Sequence, residues 1–141
     1  MGVKREFISH SVAETESFGA QLSRELCAGS VVAFFGGMGM GKTAMVRGIA
    51  QGLSLQSDVS SPTFALVHDY GGNPPLVHFD MYRVSGWDDL YSTGFFDYLD
   101  AGAILVVEWS ENIAAALPAD AIRIHISETG VDGERRIVWE V

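Results

Sequence analysis

Residues 36–43 read Gly36-Gly37-Met38-Gly39-Met40-Gly41-Lys42-Thr43. The run satisfies the pattern G-x-x-x-x-G-K-[ST] at each fixed position: Gly36, Gly41, Lys42 and Thr43. Each of these positions has a physical task. A loop that wraps a phosphate chain with backbone N–H groups needs glycine where a Cβ would collide or where φ is positive. The lysine brings a point charge to the β- and γ-phosphates, and the hydroxyl next to it suits Mg²⁺. A helix that starts here turns its unpaired N–H groups and positive dipole end toward the anion.

The flanks fit the same reading. Ser30-Val-Val-Ala-Phe-Phe35 is an apolar, β-branched and aromatic run with strand character. Val46, Ile49, Ala50 and Leu53 recur at helical spacing after the loop. Strand, glycine loop and helix follow one another, so residues 36–44, through Ala44, are the expected nucleotide-binding segment. The expected cofactors are ATP and Mg²⁺.

Bulk properties bound the class. The chain has 141 residues, a length suited to one domain, here 1–141. Nearly half of it is apolar, 48%, which provides for a core. No run reaches the about 20 apolar residues of a membrane helix. Met1–His10 has no apolar stretch after its basic residues, so no signal peptide is expected. The one cysteine, Cys27, excludes an internal disulfide and is expected in a helix as a small apolar residue. A cytoplasmic protein without membrane contact is the resulting expectation. The net charge is −9. Free nucleic-acid binders carry a basic face, so any RNA should be held by another protein.

Ser11-Val-Ala-Glu14 is a capping box, Phe18, Leu22 and Leu26 mark one helical face, and Gly29 suits a C-cap. Phe64–Tyr70 and Leu76–Asp80 read as a hairpin across Gly71–Pro75, so part of the sheet should be antiparallel. Short helices are expected near 87–91, capped by Ser85, and near 95–99. Ala103–Trp109 is a near-continuous apolar strand of the kind buried on both faces. Ser110 opens a further short helix stopped by Pro118. Ile122, Ile124 and Ile126, then Ile137, Trp139 and Val141, form a hairpin with one buried face. The fold class is therefore α/β: a single phosphate-loop NTPase domain with a mixed, partly antiparallel sheet.

A phosphate loop needs an acid at the end of a nearby buried strand to support its metal. Glu108 ends Ile104-Leu-Val-Val107 and is expected, with Thr43, to hold the cation; burying its carboxylate alone would be costly. Asp80 ends another apolar strand and either orients water or serves as a turn aspartate. Lys42, Asp80 and Glu108 are the expected catalytic residues. Ser61-Pro62-Thr63-Phe64 lies where nucleotide-responsive switches sit, though a plain turn into a strand has the same composition. Arg83 is a candidate for charge stabilisation or a surface ion pair, and Trp109 flanks the site or belongs to the core. His68 and His78 lie in opposite strands of one hairpin, and they read as packing and hydrogen-bonding residues rather than a metal pair.

Gly36–Thr43 with Arg47-Gly48, then Ser61–Phe64, then His78-Phe-Asp-Met-Tyr-Arg83, then Val107-Glu-Trp109, in this order, resembles the bacterial TsaE (YjeE) family. The resemblance spans essentially the whole chain. It implies the ATPase component of the machinery that makes threonylcarbamoyladenosine in tRNA, with TsaD and TsaB as partners and tRNA reached through them. It implies phosphate contact by Lys42, Mg²⁺ held by Thr43 and Glu108, a catalytic or water-positioning Asp80, a functional Trp109 and a switch at Ser61–Phe64. The usual family loop resembles Gly-Asp-Leu-Gly-Ala-Gly-Lys-Thr-Thr. Here Gly37 replaces its Asp, Met40 its Ala and Ala44 its second Thr. A small phosphotransferase acting on a metabolite would share the loop and metal ligands. It would also need an Arg-rich lid, and no cluster of that kind occurs among the nine Lys and Arg.

Overall fold

Strand order decides where the site lies. The computed structural model describes residues 4–35, 41–55 and 67–141. The strands are β1 (Lys4–Ser9), β2 (Val31–Phe35), β3 (Val67–Gly72), β4 (Pro75–Asp80), β5 (Ile104–Glu108), β6 (Ile122–Glu128) and β7 (Arg135–Glu140). The helices are α1 (Val12–Ser23), α2 (Lys42–Gly52), α3 (Trp87–Ser92) and α4 (Phe95–Asp100), with a kinked 3₁₀ segment at Ser110–Ala116. Among the described residues the strands form one seven-stranded sheet in the order β1-β7-β6-β2-β5-β4-β3. β6, β2, β5 and β4 run parallel. β3 pairs antiparallel with β4, and β7 pairs antiparallel with both β6 and β1. The sheet is thus mixed, with its parallel part at the centre.

The central strands are apolar on both faces, and each face has its own layer. Val32, Phe34, Leu76, Ile104, Val106 and Ile124 pack with Leu22 of α1 and Met45, Val46 and Ile49 of α2. On the other face, Ala33, Val77, Phe79, Leu105 and Val107 pack with Leu90, Phe95, Ile113 and Leu117. Side chains alternate along a strand, so His78, Asp80 and Glu108 share the α1/α2 face with Leu76, Ile104 and Val106.

Helices α1 and α2 approach closely at glycines. A Cβ on Gly48 would collide with the backbone of Glu16, and one on Gly19 with the Met45 carbonyl. Beside this contact Arg47 of α2 donates to Glu16 of α1 at 2.7 Å.

Several details depart from the sequence expectation. Ser11 caps α1 by accepting from the Glu14 N–H at 3.1 Å, but Glu14 reaches back to the His10 N–H, one residue outside the usual box. Asp89 does the same at α3, accepting from the Ser85 N–H and hydroxyl; Gly86, not Ser85, is the N-cap. α1 ends at Ser23, not near Gly29. The turn from 24 to 30 closes on itself through a Ser30 N–H to Cys27 carbonyl bond. It carries Cys27 on the surface rather than in a helix. Gly29, at φ 86°, instead donates to the carbonyls of Gly102 and Ala103. Val141 is exposed, so the buried face of the last hairpin ends at Trp139. No described helix is long and apolar enough to cross a membrane.

Candidate active site

Lys42 is the first residue of α2, directly after β2 and the glycine run. Gly41 caps the helix at φ 95°, ψ 12°, a left-handed conformation that a Cβ would strain. Lys42 is buried, 4% exposed. Its Nζ lies 5.6 Å from the centroid of the Trp109 ring. An ammonium over an indole face is stabilised by the ring quadrupole. That contact links the start of α2 to the end of β5, because Trp109 follows Glu108. Thr43 is half-buried and Ala44 buried in the same first turn.

Glu108 is 8% exposed, so it is not simply an acid in solvent at a strand end. Its carboxylate Oε2 accepts from Nε2 of His78 at 2.8 Å. Part of the compensation for burying this carboxylate therefore comes from a histidine and not only from a cation. His78 is fully buried, and its Nδ1 lies 3.3 Å from the Tyr70 hydroxyl. Tyr70, His78 and Glu108 thus form a chain of polar groups running from β3 through β4 to β5.

Asp80 is the register partner of Glu108 in the parallel β4–β5 pair. Its Oδ1 accepts from the Tyr82 N–H at 2.9 Å, so it does act as a turn aspartate. It also stands at a strand end beside Glu108. The segment after β4 is tied to the segment after β5. Met81 N–H donates to the Glu108 carbonyl at 3.0 Å, and Asn112 Nδ2 donates to the Met81 carbonyl at 2.8 Å. The Tyr82 ring lies 4.9 Å from that of Trp109. Arg83 is exposed in this turn.

The structure therefore brings together Gly41, Lys42, Thr43 and Ala44 at one helix end, and Asp80, Glu108 and Trp109 at the facing strand ends. Gly36, Gly37, Met38, Gly39, Met40, Ser61, Pro62, Thr63 and Phe64 lie outside the described residues. The partnership of His78 with Glu108 escaped the sequence reading. The available signal was a lone histidine inside an apolar strand, two residues before Asp80 and hence on the same face.

Chemically, the site offers a buried ammonium, a helix N-terminus and carboxylates at strand ends. Thr43 and Glu108 supply oxygen donors of the hard kind that Mg²⁺ takes. Among the described residues no three His, Cys, Asp or Glu side chains gather into a full ligand set. Few protein donors suit an ion that keeps several waters and shares substrate phosphates, as Mg²⁺ does.

These features define a class: a three-layer α/β protein with a parallel sheet centre, whose glycine-rich phosphate-loop sequence joins β2 to α2. The family model described as "Threonylcarbamoyl adenosine biosynthesis protein TsaE" matches residues 9–137. The chain belongs to the TsaE family. It is 35% identical over 130 residues to the tRNA threonylcarbamoyladenosine biosynthesis protein TsaE of Treponema pallidum, covering 92% of this chain and 96% of the relative. It is 40% identical over 111 residues to the Streptomyces coelicolor protein of the same name, covering 77% and 75%. The crystal structure of YdiB from Bacillus subtilis superposes with a TM-score of 0.82 at 28% identity, covering all of this chain and 87% of that one. The family role in threonylcarbamoyladenosine biosynthesis, a tRNA-processing pathway, follows from this membership.

Proposed function

We propose that the chain is a slow, Mg²⁺-dependent ATPase, cytoplasmic, that supports tRNA threonylcarbamoylation by docking on a TsaD–TsaB complex. One observation carries the reading: the buried Lys42 ammonium, at the N-terminus of α2, packs on Trp109 directly beyond Glu108. A lysine at a helix N-terminus after a glycine run adds its charge to N–H groups that suit an anion of the phosphate type.

In this reading the N–H groups of the glycine loop and of α2 hold the phosphates, and Lys42 neutralises the β- and γ-oxygens. Thr43 and Glu108 hold the cation, and Asp80 positions the attacking water. Bound Mg²⁺ would offset the charge that develops between the β- and γ-phosphates. Lys42 is 4% exposed beside the Trp109 ring, and a water-poor setting strengthens its attraction for an anion. The acidic chain, at −9, would meet tRNA only through its partners. Docking should differ between the ATP and ADP states, since a ligand shifts an equilibrium only by its different affinity for two states.

Phosphate release measured alone, with TsaD–TsaB, and with EDTA tests this. The expected result is Mg²⁺-dependent release that Lys42→Ala abolishes, together with tighter TsaD–TsaB binding in ATP than in ADP. Unchanged release by Lys42→Ala would overturn the ATPase reading. Equal partner affinities in the two nucleotides would overturn the coupling.

A further inference from the structure

We propose that His78 is a positioning residue for Glu108: it fixes the carboxylate so that Glu108 meets the nucleotide-bound cation in one orientation. The inference rests on the reading of Glu108 as a Mg²⁺ ligand.

A carboxylate only accepts hydrogen bonds. The 2.8 Å contact between His78 Nε2 and Glu108 Oε2 therefore requires the proton on Nε2. Nδ1 of the same ring lies 3.3 Å from the Tyr70 hydroxyl, so both ring nitrogens have partners. These two contacts fix the ring plane of His78, and His78 in turn holds Oε2 of Glu108 in place.

His78 is 0% exposed, between Val77 and Phe79, in a strand whose neighbours are apolar. Its hydrogen bond offsets part of the cost of burying Glu108, so losing it should also lower stability. Hydrogen-bonded supports of metal-ligating carboxylates have a different signature: their loss weakens metal affinity by about 10–100-fold.

The test is an equilibrium titration of a fluorescent ATP analogue at varied Mg²⁺, with urea unfolding run in parallel. His78→Gln places an amide N–H near the reach of Nε2; His78→Asn places it one bond short, near Nδ1. Expected is a Mg²⁺ requirement raised about 10-fold or more in His78→Asn, with His78→Gln recovering most of it. Mg²⁺-free nucleotide affinity should be unchanged in both. Equal Mg²⁺ requirements in the two variants would overturn the proposal. So would a matching loss of Mg²⁺-free binding. Where His78→Asn does not fold, His78→Leu is read in the same way. Glu108→Ala separates the two levels. If it leaves the Mg²⁺ dependence intact, the ligand reading of Glu108 falls and this inference with it. If it abolishes that dependence while His78→Asn matches the parent, the positioning role alone falls.

Discussion

The ammonium of Lys42 sits 5.6 Å from the centre of the Trp109 ring, and Trp109 presents that ring from a left-handed backbone, φ 58° and ψ 42°. For a bulky side chain this conformation is strained by about 1–2 kcal/mol. The strain sits between the Glu108 carboxylate and the 3₁₀ segment, and it aims the indole at the start of α2.

Trp109 variants should separate ring from backbone. Trp109→Gly relieves the strain and Trp109→Ala does not, so the glycine variant should be more stable by about 1 kcal/mol. Both lose the ring over Lys42 and should lose nucleotide affinity equally. Urea midpoints and ATP-analogue titration measure the two effects. A glycine variant less stable than the alanine variant would contradict the strain argument.

Asp80 has an observed turn bond and a proposed water-positioning role, and substitution can separate the two. Asp80→Asn keeps an oxygen to accept from the Tyr82 N–H but loses the charge. It should unfold near the parental urea midpoint while ATP turnover falls on the order of 10²-fold. Asp80→Ala should add a stability loss of about 1 kcal/mol for the missing turn bond. Parental turnover in Asp80→Asn would confine Asp80 to its turn.

The α1–α2 contact reverses an ordinary substitution. Gly→Ala within an exposed helix stabilises by about 1 kcal/mol. At Gly48 the added methyl meets the Glu16 backbone, and Gly48→Ala should instead destabilise by about 1–3 kcal/mol. Gln51→Ala, exposed on the same helix, should be near neutral. Equal midpoints for the two variants would rule out the tight crossing.

Asp89 makes a pH prediction. The Ser85 hydroxyl, then the Ser85 N–H, holds its carboxyl below the ordinary aspartate range. A lowered folded value contributes stability at pH above the unfolded value and loses it as pH falls through the folded one. That window lies below the ordinary aspartate range. NMR titration of Ser85→Ala should return Asp89 upward toward its ordinary value; no movement would show that the hydroxyl is not the main cause.

Much of the fold was legible because the residues that form it are locally consistent. The run Val31–Phe35 into Gly41-Lys42-Thr43 can hardly be other than strand, loop and helix. Leu76–Asp80 and Ile104–Glu108 announced buried strands with an acid at each end, and register places Asp80 beside Glu108. β1 was not legible. Lys4-Arg5-Glu6 is polar and exposed, with no face to bury, and it is a strand only because β7 supplies backbone partners. The end of α1 was misplaced because Leu26, in the turn beyond the helix, still packs against the core and mimics another helical position. The role of His78 was hidden for a similar reason: its partner lies on another strand, 30 residues away.

The pairing of β1 with β7 has a consequence for how the chain is made. Arg136 Nη2 lies 2.9 Å from Glu6 Oε2, across 130 residues of sequence. β1 leaves the ribosome well before β7, the strand it pairs with. During synthesis its backbone donors and acceptors must stay solvated while the rest of the sheet assembles. Closing so long a loop is entropically costly and slow, as for any contact of high sequence separation. The β1 edge should therefore be the last part of the sheet to zip. Its lysine, arginine and glutamate keep the waiting strand soluble and unattractive to other nascent chains.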